Sequence, residues 1–151
     1  MTNLYLPKKN NTNQGLPMHI DHKFPITWIP ITGFKPKCLS VSHCPGKYPI
    51  KAEKKENLFK DLTSITDQKI KCIITLLSKE ELNVKKITHF EETIRNFSFK
   101  HYIEEIDDLS VPSEAKLIRF KSLIQSIVSE IKLGNAVLIH CNAGLGRSGL
   151  V

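Results

Sequence analysis

The chain has 151 residues, with 22 Lys and Arg against 15 Asp and Glu, a net charge of +7, 40% hydrophobic and 25% charged residues. These values describe one globular domain with a single sizeable core, and no apolar run approaches membrane-spanning length. The positive balance suits an acidic or phosphorylated partner, whereas lysines scattered without interleaved aromatics argue against a dedicated nucleic-acid module.

Residues 1–25 combine the polar run Asn10 to Gln14 with Pro7, Pro17 and Pro25, which reads as an irregular arm. Their lack of an apolar stretch predicts no secretory leader. His19 and His22 are read as surface residues. Trp28-Ile29-Pro30-Ile31 predicts a short strand, placed at an edge by its proline. Lys37 to Ser42 predicts a second strand, and Pro45-Gly46 makes His43 to Lys47 a turn. Cys38, His43 and Cys44 have no evident fourth ligand, so neither a metal nor any cofactor is expected. The four cysteines, Cys38, Cys44, Cys72 and Cys141, form no Cys-x-x-Cys pair or regular framework. That usage fits a reducing, cytoplasmic setting.

Glu53 to Gln68 predicts a helix, with Leu58, Phe59, Leu62 and Ile65 at helical spacing and its Lys and Glu on a solvated face. Lys71 to Leu77 is apolar and β-branched, a central strand. Ser78 with Glu81 forms a capping box opening a short helix from Lys79 to about Val84. Asn96 to Ile103 alternates as a strand. Ser113 to Leu133, set between Pro112 and Gly134, predicts the longest helix. Its buried face is expected to carry Leu117, Ile118, Phe120, Leu123, Ile124, Ile127, Val128 and Ile131. Alternating strands and helices imply an α/β domain with a central, mainly parallel sheet flanked by helices.

The stretch Val137 to Gly149 carries the chemistry. An apolar strand, Ala136 to Ile139, runs into His140-Cys141; a loop with Gly144 and Gly146 follows, then Arg147-Ser148-Gly149 at a helix start. Strand, glycine-bearing loop, basic residue and helix start make an anion cradle, in which inward-facing N–H groups of Asn142, Ala143, Gly144, Leu145, Gly146 and Arg147 would bind a phosphate. Those donors, with Arg147 near, favour the charged form of Cys141, so its pKa is expected to be depressed. Arg147 can grip two phosphate oxygens in a fork. A thiolate facing a phosphoryl group suggests in-line attack and a cysteinyl-phosphate intermediate. Ser148 can donate its hydroxyl to the sulfur in the second step. His140, grouped with these catalytic residues, orders the loop by hydrogen bonding.

His140-Cys141, five residues, then Arg147-Ser148-Gly149 resembles the signature of the cysteine-dependent protein tyrosine and dual-specificity phosphatases. Leu39 to Lys47, Cys72 to Leu82 and Gly144 to Ser148 are similar to the cyclin-dependent-kinase-associated branch. The resemblance implies a phosphotyrosine-phosphatase-like domain over 26–151 acting on phosphorylated proteins. It also implies a general acid: the family carries an Asp four residues before a proline, and Asp108 stands so before Pro112, with Asp107 beside it. Family members continue past the arginine with a long helix and further helices, and this chain ends at Val151. The expectation is a domain truncated after the phosphate-binding loop, less stable and less active than a longer form. A catalytically impaired phosphate-binding module stays open as an alternative. So does a phosphatase of a non-protein ester, phosphoinositide or RNA, although Asn142 and Leu145 stand where the similar phosphoinositide enzymes often place lysines.

Overall fold

A computed structural model describes residues 22–48, 54–106 and 114–151. Its strands are β1 (Thr27–Ile29), β2 (Leu39–Ser42), β3 (Ile70–Thr75), β4 (Lys100–Ile103) and β5 (Ala136–His140). Its helices are α1 (Lys54–Asp67), α2 (Lys79–Val84), α3 (Phe90–Asn96) and α4 (Glu114–Lys132), and a 3-10 turn spans Arg147–Leu150. The sheet order is β1-β2-β5-β3-β4. Only β1 pairs antiparallel, with β2; every other pairing is parallel. Pro30 therefore sits just beyond an edge strand, where its missing N–H costs no ladder bond.

β5 lies in the middle of the sheet, and Val137, Leu138 and Ile139 are at most 1% exposed. A strand covered on both faces is apolar throughout rather than alternating. Successive side chains still point to opposite faces. Leu138 enters one core with Leu58, Leu62, Ile65, Ile73, Phe90 and Ile94. Val137, Ile139 and Cys141 enter a second core with Cys72, Ile74, Leu123, Ile127 and Ile131. The sheet thus separates two cores where composition suggested one. β3 keeps this division across a register shift between Ile70 and Cys72.

Several elements depart from the sequence reading. α3 was not anticipated: its only buried residues are Phe90, Thr93 and Ile94, too short a set for a helical period to register. In α4, Leu123, Ile127 and Ile131 are buried, but Leu117 and Ile118 are 48% and 74% exposed. Phe59 is also exposed and meets Phe97 edge to face at 5.1 Å. The chain after Arg147 forms a 3-10 turn, not an α-helical start.

Phe24, at the end of the stretch read as an arm, is 1% exposed, and its N–H donates to Ser64 Oγ at 2.7 Å. Asp61 accepts the Gly46 N–H at 2.7 Å and contacts His22 Nε2 at 2.6 Å. α1 thus anchors both the segment entering β1 and the loop leaving β2. Among the described residues no helix is long and apolar enough to cross a membrane.

Candidate active site

Ser42, Thr75 and His140 end β2, β3 and β5 in register, so three loops converge at the carboxyl edge of the sheet. That edge is where parallel sheets present ligand sites, because the strands end there while their loops turn away on either side. Cys141 is the first residue past β5. Its residue surface is 2% exposed, and the Gly144 N–H donates to its sulfur at 3.2 Å. Burial pushes the thiol pKa up. The Ser148 hydroxyl, which lies near the sulfur without a formed hydrogen bond, and the N–H groups of Ser148, Gly144 and Ala143 outweigh it, and the net shift is downward from the ordinary thiol value.

The depression was expected from the loop's N–H donors together with Arg147. The N–H groups of Ser148, Gly144 and Ala143 do lower it, whereas the Arg147 guanidinium faces a carboxylate. Arg147 is 3% exposed, and its Nη1 donates to both oxygens of Glu81, each at 2.9 Å. The same nitrogen reaches the Ile106 carbonyl at 3.0 Å. Glu81 also completes the capping box of α2: Ser78 N–H donates to Oε2 at 3.0 Å and the Glu81 N–H to Ser78 Oγ at 3.1 Å. One glutamate therefore closes a helix and holds the arginine of the loop after β5.

Sequence reasoning saw Glu81 only as a cap. The available signal was the Glu-Leu pair after the central strand. Asp107 and Asp108 lie outside the described residues, but Ile106 just before them is held by Arg147.

His140 is fully buried. Its Nε2 lies 2.8 Å from Thr75 Oγ1, which also lies 2.8 Å from His101 Nε2. Phe90 covers the ring edge to face at 5.5 Å. Burial, with His101 and His43 nearby, pushes the His140 pKa down to about 3, against a partial upward effect from the Cys141 backbone. A ring so placed stays neutral at ordinary pH, which suits orienting the loop rather than moving protons. Thr75, in mid-sheet, gave no sequence signal for this contact.

The loop leans on the segment after β2. Gly144 has φ +78°, and a Cβ there would meet Ser42 C and O at 2.5 Å and His43 N at 2.9 Å. The Asn142 carbonyl accepts the Cys44 N–H at 3.4 Å and the Lys47 ammonium at 3.1 Å. Leu145 is 82% exposed at the loop's tip, and Gly146 precedes Arg147 in the turn. Cys44 and Cys72 are buried, and burial pushes each thiol up to about 12, so neither competes with Cys141 as a thiolate. Among the described residues no three metal-capable side chains converge.

A family model described as "Polymorphic toxin system, DSP-PTPase phosphatase" matches residues 49–151. AMV078 of Amsacta moorei entomopoxvirus, a provisional tyrosine-protein phosphatase, is 34% identical over 87 residues, covering 58% of this chain and 47% of the relative. The chain spans about half the length of that curated relative. A kinase associated phosphatase, solved with its catalytic-site cysteine substituted by serine, superposes with a TM-score of 0.70 at 19% identity, over 86% of this chain and 71% of the other. Tk-PTP in its active form gives a TM-score of 0.56 at 21% identity, over 74% of this chain and 61% of that one. At such identities the likeness is one of fold, the α/β fold with a mostly parallel sheet described above.

Proposed function

The chain belongs to the DSP-PTPase phosphatase family described from polymorphic toxin systems, and from that premise we propose that it hydrolyses phosphate monoesters on proteins through Cys141. The observation that carries the reading is the sulfur itself: it follows directly on the central strand, accepts the Gly144 N–H and is shifted toward thiolate. Asn142 to Arg147 supply the phosphate cradle, and the Arg147 guanidinium balances the charge of the transferring phosphoryl group.

In the first step the thiolate attacks phosphorus in line. The S–P bond forms as the ester P–O bond breaks, and the leaving oxygen takes the proton of the Asp108 carboxyl. Water then attacks phosphorus and gives its proton to the Asp108 carboxylate. The S–P bond breaks, inorganic phosphate leaves, and Ser148 steadies the departing sulfur as thiolate. His140 keeps the loop in place from below.

We take residues 26–151 as the phosphatase domain, with Phe24 of the preceding segment packed into its core. Free Cys38, Cys44, Cys72 and Cys141 support a reducing, cytoplasmic setting. The test is hydrolysis of an aryl phosphate beside Cys141→Ser, Asp108→Asn and Asp107→Asn. Turnover abolished by Cys141→Ser and cut by Asp108→Asn at unchanged KM supports the mechanism. Full turnover in Cys141→Ser refutes it, and loss in Asp107→Asn alone moves the acid by one residue. Phosphate or vanadate binding without turnover would favour the capture module instead.

A further inference from the structure

The carbonyl oxygen of Asn142 accepts two donors from the segment after β2, the Lys47 ammonium at 3.1 Å and the Cys44 N–H at 3.4 Å. That carbonyl and the Ala143 N–H belong to one planar trans peptide, so they point in opposite directions. Pinning the oxygen outward to Lys47 turns the N–H inward, toward the side on which the next N–H, that of Gly144, donates to the Cys141 sulfur at 3.2 Å, and the Ala143 N–H helps lower the Cys141 pKa. The opposite orientation would aim an acceptor at a thiolate and at a phosphate, and both repel it. A cation on the oxygen also draws charge along the amide and strengthens its N–H as a donor.

We propose that Lys47 is a positioning residue for the nucleophile: its ammonium holds and polarises the Asn142–Ala143 peptide so that the Ala143 N–H faces the Cys141 sulfur and a bound phosphate. This rests on Cys141 being the nucleophile. Lys47 is itself well placed. Lys54 of α1 donates to its carbonyl, its ammonium lies 4.9 Å from the Tyr48 ring centroid, and the neighbouring Gly46 N–H is tied to Asp61. The titratable and charged groups facing this corner are His43 and Cys44 of the same loop, Asp61 and Lys54 of α1, Lys85 just after α2, His140 of β5 and Cys141 itself. A strap without electrical effect would need a donor at Lys47 but no charge.

The experiment titrates the Cys141 thiolate by its ultraviolet absorbance, with Cys141→Ser as the blank, in wild type, Lys47→Met and Lys47→Arg. Lys47→Met is expected to raise the midpoint by about half a unit or more. In turnover assays it lowers kcat more than it raises KM, and Lys47→Arg recovers much of both. A Lys47→Met midpoint equal to wild type, at unchanged Tm, overturns the proposal. Should Lys47→Met fail to fold, Lys47→Gln takes its place: a midpoint above that of Lys47→Arg supports the role of charge, and equal midpoints overturn it. The titration needs no turnover. A wild-type chain with a depressed midpoint but no hydrolysis would sink the phosphatase reading and still leave the Lys47 comparison decided.

Discussion

Gly144→Ala is the sharpest single test of how the phosphate loop is built. The residue sits at φ +78°, and an added Cβ would lie 2.5 Å from both the carbon and the oxygen of the Ser42 carbonyl and 2.9 Å from His43 N. Comfortable contacts of this kind begin near about 3.5 Å, so backbone must move by roughly 1 Å. The atoms in the way are backbone at the end of β2, not a flexible side-chain tip. Left-handed backbone costs a non-glycine residue about 1–2 kcal/mol. Forcing an extra carbon into a packed site adds about 1–3 kcal/mol. The sum is a destabilisation of about 2–5 kcal/mol, read as a lower urea midpoint.

Function should suffer further, because a displacement of about 1 Å at a reacting centre costs on the order of 100-fold in rate. Gly149→Ala is the comparator: its Cβ meets nothing within 4 Å and its φ lies outside the left-handed region. It should hold its midpoint and most of its activity. Gly144→Ala matching Gly149→Ala in both urea midpoint and aryl-phosphate turnover would refute the close packing of loop against β2.

Three further outcomes are expected. The His140 pKa falls from 6.5 to about 3 on folding, so the folded ring stays neutral while the unfolded ring takes up a proton below pH 6.5. Stability is therefore full above that pH and is lost as pH drops toward 3, by up to about 5 kcal/mol; denaturant midpoints against pH should lose slope in His140→Asn, and an unchanged slope would exclude this residue as the source. Glu81→Gln keeps the capping hydrogen bond but removes the charge facing Arg147, and should weaken vanadate inhibition several-fold with a modest fall in Tm. Glu81→Ala should lose about 1 kcal/mol more through the cap; identical Tm values for the two variants would contradict the dual role. Glu130 is 4% exposed and accepts from Lys100 at 2.7 Å and Asn135 at 2.7 Å. Glu130→Ala removes the acceptor shared by Asn135 and the half-exposed Lys100 ammonium, and should lower the Tm modestly in a thermal melt, with no change in the KM of the remaining folded enzyme.

Local sequence was sufficient where one chain segment contains its own reason. The apolar runs at Ile70 to Thr75 and Ala136 to His140 are strands because β-branched and aliphatic side chains fill both faces of a covered sheet. The Ser78 and Glu81 capping box marked the start of α2 at Lys79, because both partners lie within one turn. The Cys141 to Arg147 spacing suggested the proposed phosphate cradle for the same reason: its donors are consecutive backbone N–H groups.

Where a residue's role depends on a distant partner, sequence was silent or misleading. Leu117 and Ile118 repeat with the buried face of α4, but periodicity carries no information about which turns are covered. Glu81 and Arg147 stand 66 positions apart, and Lys47 and Asn142 stand 95 apart. Only the convergence of β2, β3 and β5 at one sheet edge brings them together. Sequence alone pointed to the fold class that the structure shows, and to the nucleophile and cradle proposed here, because the residues of the loop stand adjacent along the chain. Tertiary structure decided what holds the arginine, what turns the Asn142–Ala143 peptide and why Gly144 admits no side chain. Those depend on contacts between segments that only the parallel sheet sets side by side.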